Sequence, residues 1–405
     1  MKLIIEGDIN LYYVQTLCMI FFPGASFGED ENEAPDNPTL ELRLTPADNG
    51  IYAYAEFRYE DRICSAKKYA EYTDRLSRSR VNKLVTGAAV LAAAGELTGY
   101  RPSWGMLTGV RPSKVATELL RSGMSKTRVR KTMTGEYLVI PKKSALATDV
   151  AVNEAKIIGK PGRKDCSVYI SIPFCPTRCA YCSFVSYSSR RLLNLIPDYL
   201  EQLREELVTV FGTIRRLGLN LKTIYIGGGT PTILTPDQLD MLLGTVAENC
   251  DTSLLEEYTL EAGRPDTITE DKLRVALHHG VNRISVNPQT LNDEILAAIG
   301  RSHTTEDFLR AFHIARNVGV PCINTDLIVG LPGDRFQNFS ECYDKILALR
   351  PENITVHTFC VKRAAEIRQS DVYSRYGGDA GKCVDYSQIK SIQSGYRPYY
   401  MYRQK

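Results

Sequence analysis

The chain has no surplus of either charge. Its 50 lysines and arginines face 47 aspartates and glutamates, a formal net charge of +3, which leaves no electrostatic footprint for nucleic acid and no polybasic patch for a membrane surface. Long apolar runs are missing too. Leu11 to Phe22 and Leu84 to Gly95 fall short of the about 20 residues that a spanning helix needs, and Glu6 and Asp8 spoil the basic start of a secretion signal. A disulfide framework is absent as well. The eleven cysteines are odd in number, and eight of them (Cys18, Cys64, Cys166, Cys250, Cys322, Cys342, Cys360 and Cys383) stand singly, as small buried residues do. These absences point to a cytoplasmic globular protein, and 405 residues at 43% hydrophobic content give enough chain for two or three domains.

Residues 1 to about 60 read as short strands, Lys2 to Ile5, Gln15 to Phe22, Leu40 to Thr45 and Ile51 to Tyr59, broken by a solvated acidic loop from Gly28 to Asp36. From Tyr69 to Gly123 the period becomes helical, with a small-residue helix around Val85 to Leu97 and another opened by Arg111-Pro112. The run Gly159 to Asp165 has the composition of a linker. Beyond it strands and helices alternate: strands at 168–172, 223–226, 257–261, 283–286, 322–328 and 353–359, with helices between them. Such alternation implies an α/β fold with a parallel sheet, here a partial barrel of six β/α units, whose sites lie at the C-terminal ends of the strands. The expected domains are an α+β unit at 1–160, the barrel at 161–380 and the start of a C-terminal region at 381–405. The last run, Tyr399 to Lys405, reads as an aromatic strand without cap or turn, so part of a C-terminal region is expected to be missing.

Cys175, Cys179 and Cys182 follow the first barrel strand in Tyr169-Ile-Ser-Ile-Pro-Phe-Cys-Pro-Thr-Arg-Cys-Ala-Tyr-Cys. Three thiolates can hold three irons of a cubane and leave the fourth open to a small molecule. A disulfide or zinc knuckle is the alternative, but a zinc site wants a fourth Cys or His nearby and none follows. Gly227-Gly228-Gly229-Thr230-Pro231 ends the second strand, where glycines let the backbone approach a ligand. Glu261, Gln289, Arg301 and Asp326 stand at later strand ends. A carboxylate there can accept ribose hydroxyls, and an arginine fork suits a carboxylate. Each alone could equally cap a helix or pair with a neighbour.

The spacing C-x-x-x-C-x-x-C after a strand resembles the radical S-adenosylmethionine (SAM) enzymes. From Tyr169 to Gly333 the segments are similar to the oxygen-independent coproporphyrinogen III oxidase family. Leu107-Thr-Gly-Val-Arg-Pro112 and Asn353-Ile-Thr-Val-His-Thr358 resemble its HemZ-type coproporphyrinogen dehydrogenase branch. The resemblance implies a [4Fe-4S] cluster on Cys175, Cys179 and Cys182. It implies SAM held by Tyr169, Tyr181, Gly228, Gly229, Thr230, Glu261, Gln289, Arg301, Asp326 and Cys360, although either tyrosine could instead fill core. It also implies a tetrapyrrole substrate and a flavodoxin- or ferredoxin-like electron donor. The reaction would be oxidative decarboxylation of two propionates of coproporphyrinogen III to vinyls, giving protoporphyrinogen IX, through a 5′-deoxyadenosyl radical. Two departures separate this chain from the best-known oxidases: Phe184 stands where they have a further cysteine, as in the heme chaperone branch, and Ser171 replaces a histidine. A heme-binding trafficking protein and an anaerobic heme-modifying enzyme are therefore the alternatives. Arg111, Lys114, Lys126, Arg128, Arg130 and Lys131 could meet substrate carboxylates or form a solvated face. His303 and His357 could act as heme ligands or proton donors, or be structural.

Overall fold

In the computed structural model, which describes residues 1–27, 37–361, 365 and 379–403, strands and helices alternate after the linker. They are β5 (Asp165–Ile172), β6 (Asn220–Gly228), β7 (Glu257–Leu260), β8 (Arg283–Ser285), β9 (Cys322–Val329) and β10 (Asn353–Thr358). They hydrogen-bond in the order β10-β9-β8-β7-β6-β5, every pair parallel. The sheet therefore has β5 and β10 as its two edges, the partial six-unit barrel that the alternation predicts. Connecting helices are α7 (Ile196–Leu217), α8 (Pro236–Asn249), α9 (Glu270–His278), α10 (Asp293–Ala298), α11 (Thr305–Val318) and α12 (Phe336–Leu349), with α6 (Arg190–Leu193) a short turn before α7.

Side chains alternate across a strand, so each barrel strand has two fates. Ile170, Ile172, Ile224, Ile226, Leu260, Ile323 and Leu327 join Leu203, Leu242, Phe308 and Phe339 of the helices in one core. Tyr169, Tyr225, Glu261, Asn324 and Asp326 fall at the intervening positions. Polar and aromatic side chains thus gather at the inner positions of the strands.

Two units divide the chain: Met1–Lys160 with Arg397–Lys405, and Pro161–Tyr396. In the first, β1 (Lys2–Glu6), β2 (Thr39–Ala47), β3 (Gly50–Tyr59) and β4 (Arg62–Glu71) form a sheet in that order, and α1 (Leu11–Phe21), α2 (Arg78–Thr98), α3 (Ser113–Arg121), α4 (Lys126–Gly135) and α5 (Pro141–Ile158) complete it. Leu17, Leu42, Phe57, Val90 and Ala93 belong to its own core. Residues 381–396, which composition placed in a third region, fall in the barrel unit with α13 (Asp379–Gln393), and 397–403 in the first unit.

Three local expectations are corrected. Gln15 to Phe21 lies in helix α1 with Phe22 as its C-cap, because Asn10 caps the Tyr13 N–H and Tyr13, Val14, Leu17, Cys18 and Phe21 are buried at helical spacing. Arg62 to Glu71 is a strand that composition does not reveal. Tyr399 to Tyr402 forms no strand; instead Met401 packs on the first unit's core and the Pro398 carbonyl accepts from Asn153. The acidic loop Gly28 to Asp36 lies outside the described residues. No helix among the described residues is long and apolar enough to cross a membrane.

Candidate functional site

The cysteine loop leaves the C-terminal end of β5. The Cys175 N–H donates to the Tyr187 carbonyl and the Tyr187 N–H to that of Pro173, zipping the two limbs together. A turn, Cys182 N–H to Cys179 C=O at 3.0 Å, brings the second and third cysteines onto one tip. That tip is lashed to the end of α10, where the Ala180 N–H meets the Ile299 carbonyl at 3.0 Å. All three thiols are free and half-buried. Burial pushes those of Cys175 and Cys182 up, against the hydrogen bonds of the Thr230 hydroxyl, 3.4 Å from Cys175 Sγ, and the Phe184 N–H. The three cysteines share one loop, one thiol for each of three irons. A zinc knuckle needs its donors about 2.3 Å from one centre, whereas cubane thiolates sit on separate irons. Three thiols on one loop fit the cluster.

The glycines after β6 are needed by the chain itself. A Cβ on Gly229 would stand 2.5 Å from the Phe174 carbonyl oxygen, and Gly228 has φ +108°. Their smallness lets the cysteine loop lie against this turn, with Gly229 N–H to Ile172 C=O at 2.8 Å and Thr230 N–H to Phe174 C=O at 2.7 Å.

Across the inner face, Tyr169 is 59% exposed and stacks on Tyr225 with centroids 5.7 Å apart. The Tyr225 hydroxyl donates to Glu261 at 3.2 Å. Burial, with Asp326 nearby, raises the Glu261 carboxyl to about 7. Asp326 goes the other way. Burial raises it, but hydrogen bonds from His357, Asn324 and Thr355 outweigh that and hold it below the usual carboxylate range; Asn324 Nδ2 is 2.8 Å away and His357 Nε2 3.6 Å. Gln289 is buried in the left-handed region at φ 67°, and its Oε1 has no hydrogen-bond partner among the described residues. An unsatisfied buried acceptor in strained backbone suits a ligand-facing residue. Cys360, just past β10, has its thiol 3.8 Å from the Val361 carbonyl.

Arg301, expected to offer a fork to a carboxylate, also has partners within the protein. It is buried, with Nη1 donating to the carbonyls of Asn287 at 2.7 Å and Gly263 at 3.2 Å and Nε to the Tyr181 hydroxyl at 3.3 Å. Tyr181 in turn packs on Ile295, Leu296, Ile328 and Leu331. Arg301 is therefore also a strut between the cysteine loop and two strand ends.

Three site residues escape sequence reasoning although they sit within or beside the motifs: Tyr225, Arg264 and Asn287. Arg264 is buried and bonded to Thr177 and Cys179 of the cysteine loop. Asn287 accepts the Asp326 N–H at 3.1 Å. His303 is buried and held down to about 4 by burial and Arg301, so it is neutral at ordinary pH. The available signal was position, within two or three residues of an expected site residue at a strand end. In the first unit, Arg130 already pairs with Asp149 at 2.8 Å.

Residues 169–346 match the family model of the radical SAM superfamily. The oxygen-independent coproporphyrinogen-III oxidase-like protein HemZ of Bacillus subtilis is 37% identical over 313 residues, 76% of this chain and 62% of that one. The heme chaperone HemW of the same organism is 37% identical over 198 residues, 48% of this chain and 51% of its own. This chain thus spans between half and two thirds of these relatives. The solved coproporphyrinogen III oxidase HemN of Escherichia coli, a radical SAM enzyme, superposes with a TM-score of 0.52 at 25% identity, covering 60% of this chain and 56% of that one. The matched residues of the barrel accordingly form a radical SAM domain, of the kind that works with a [4Fe-4S] cluster and SAM, and the chain is similar both to the oxygen-independent coproporphyrinogen oxidases and to the heme chaperones.

Proposed function

We propose that this chain decarboxylates the propionates of coproporphyrinogen III to vinyls, in the cytoplasm and with an electron from a flavodoxin- or ferredoxin-like donor. Cys175, Cys179 and Cys182 hold the cluster. Tyr169, Tyr181, Gly228, Gly229, Thr230, Glu261, Gln289, Arg301, Asp326 and Cys360 would hold SAM at the strand ends. Bound together, the two cofactors supply a radical that removes hydrogen from carbon; the protein positions them and keeps water out. Glu261 and Asp326 offer acceptors to ribose hydroxyls, Gln289 offers its unpaired carbonyl oxygen, and the turn at Gly228 offers backbone dipoles.

The observation that carries this reading is the length of the HemZ-like match. Its 313 residues exceed the whole barrel unit and so run into the first unit, whereas the 198 residues matched to HemW would fit within the barrel unit alone. Reduced coproporphyrinogen supplied to the reconstituted protein under strict anaerobiosis should yield vinyl products together with 5′-deoxyadenosine. A second reading, heme binding without turnover, is favoured by Phe184, two residues after the last cysteine and 67% exposed. Stoichiometric heme binding without any vinyl product would decide for it.

A further inference from the structure

Arg264 has no assigned role, yet it makes more bonds than any other side chain around the cysteine loop. It is 3% exposed. Its Nη2 donates to Thr177 Oγ1 at 2.9 Å and to Ser302 Oγ at 2.8 Å; its Nη1 reaches the Thr177 carbonyl at 3.4 Å and the Cys179 thiol at 3.5 Å; its Nε faces Asp266 Oδ1 at 3.4 Å. Ser302 then donates to the other Asp266 oxygen at 2.9 Å, closing a ring of three side chains. Thr177 also donates to the Gly300 carbonyl at 3.3 Å. One guanidinium therefore ties together the cysteine loop, the loop after β7 and the segment before α11.

Such a fork does two things that a lysine could not do together. It fixes planar geometry through several donors at once, and it delivers an N–H and a positive charge to one sulfur. Hydrogen bonds to cluster sulfurs and nearby charge are levers on a cluster's reduction potential, because adding an electron adds negative charge that the N–H and the cation stabilise.

We infer that Arg264 is a positioning residue that holds the Cys179 arm of the loop and raises the reduction potential of the cluster, which eases its acceptance of the electron. The inference rests on the cluster reading above. Asp266 offsets part of the charge but not the N–H to sulfur, so the directional contribution persists.

The test is the midpoint potential of the reconstituted full chain, without SAM or substrate, measured by anaerobic spectroelectrochemistry alongside iron and sulfide content. Arg264→Met should keep a full complement of iron yet bind the added electron about tenfold more weakly, about 59 mV more negative for a one-electron couple. Arg264→Lys should recover part of that shift, keeping the charge but losing the fork. Should Arg264→Met fail to fold, Ser302→Ala and Thr177→Ala, which remove anchors and leave Arg264 in place, should each move the potential down by a smaller amount. A loaded cluster whose potential is the same in every soluble variant as in the unaltered protein overturns the inference while leaving the cluster intact. An unaltered protein that takes up no cluster overturns the underlying reading and this inference with it.

Discussion

Glu261 and Asp326 face one another across the inner barrel with opposite displacements, Glu261 up to about 7 and Asp326 down. For Glu261 the folded value lies above the unfolded 4.5, so its share of stability is whole below about pH 4.5 and is lost as pH rises through about 7. At about 1.4 kcal/mol per pH unit, the penalty above pH 7 is on the order of 3–4 kcal/mol. Glu261→Gln should therefore stabilise the cofactor-free protein at pH 8 far more than at pH 4.5 in thermal unfolding, while weakening SAM binding in calorimetry. Arg301→Ala should behave differently. It strands two buried carbonyls and loosens Tyr181, so a loss of about 2–4 kcal/mol is expected even without SAM. Replacing any one of Cys175, Cys179 and Cys182 by Ala should abolish the cluster's visible absorbance; an intact spectrum in Cys179→Ala would refute the ligand assignment. At this scale the sequence exposes which side chains stand at strand ends, because motif and strand lie side by side in it. It does not expose what they bond to. Arg264 and Asn287 act through partners many residues away, which no spacing rule encodes.

Among the elements, the barrel is the legible part. Its buried strands are short apolar runs and its helices carry caps, such as Thr235 with Gln238 ahead of α8, so both periods stand out. The first unit is less legible. Around α1 nearly every residue is apolar, which hides the helical period behind a strand-like run, and only Asn10 marks its start. Strand β4 fails in the opposite way: as an edge strand it presents exposed Arg62, Lys67 and Lys68 and little to bury. The turn after β6 gives an element-scale prediction. Gly229→Ala drives a methyl into the Phe174 carbonyl, where backbone rather than a movable side chain must yield. The β5 and β6 ends should separate, lowering stability by about 1–3 kcal/mol and reducing iron retained after reconstitution. Gly212→Ala, in α7 with nothing within 4 Å of its added Cβ, is the control and should be neutral or mildly stabilising.

For the molecule as a whole, every residue of the candidate site, from Tyr169 to Cys360, belongs to the barrel unit, while the first unit has its own core. Removing residues 397–405 should therefore lower the unfolding temperature of the first unit without altering cluster content. The strip contributes Met401 to that core, and Arg403 donates from its backbone to Val110 and from its guanidinium to Leu107. Two separated transitions in calorimetry, only one of them moved by the deletion, would be the signature. This arrangement also sets an order of events during synthesis. The first 160 residues leave the ribosome early, but residues 397–403 of their unit are made only after the whole of the barrel unit has been synthesised. A nascent chain must hold the first unit unfinished while the cysteines of the candidate site come out, so a chain halted at residue 396 should leave that unit sensitive to protease, and one extended through residue 403 and clear of the ribosome should be protected.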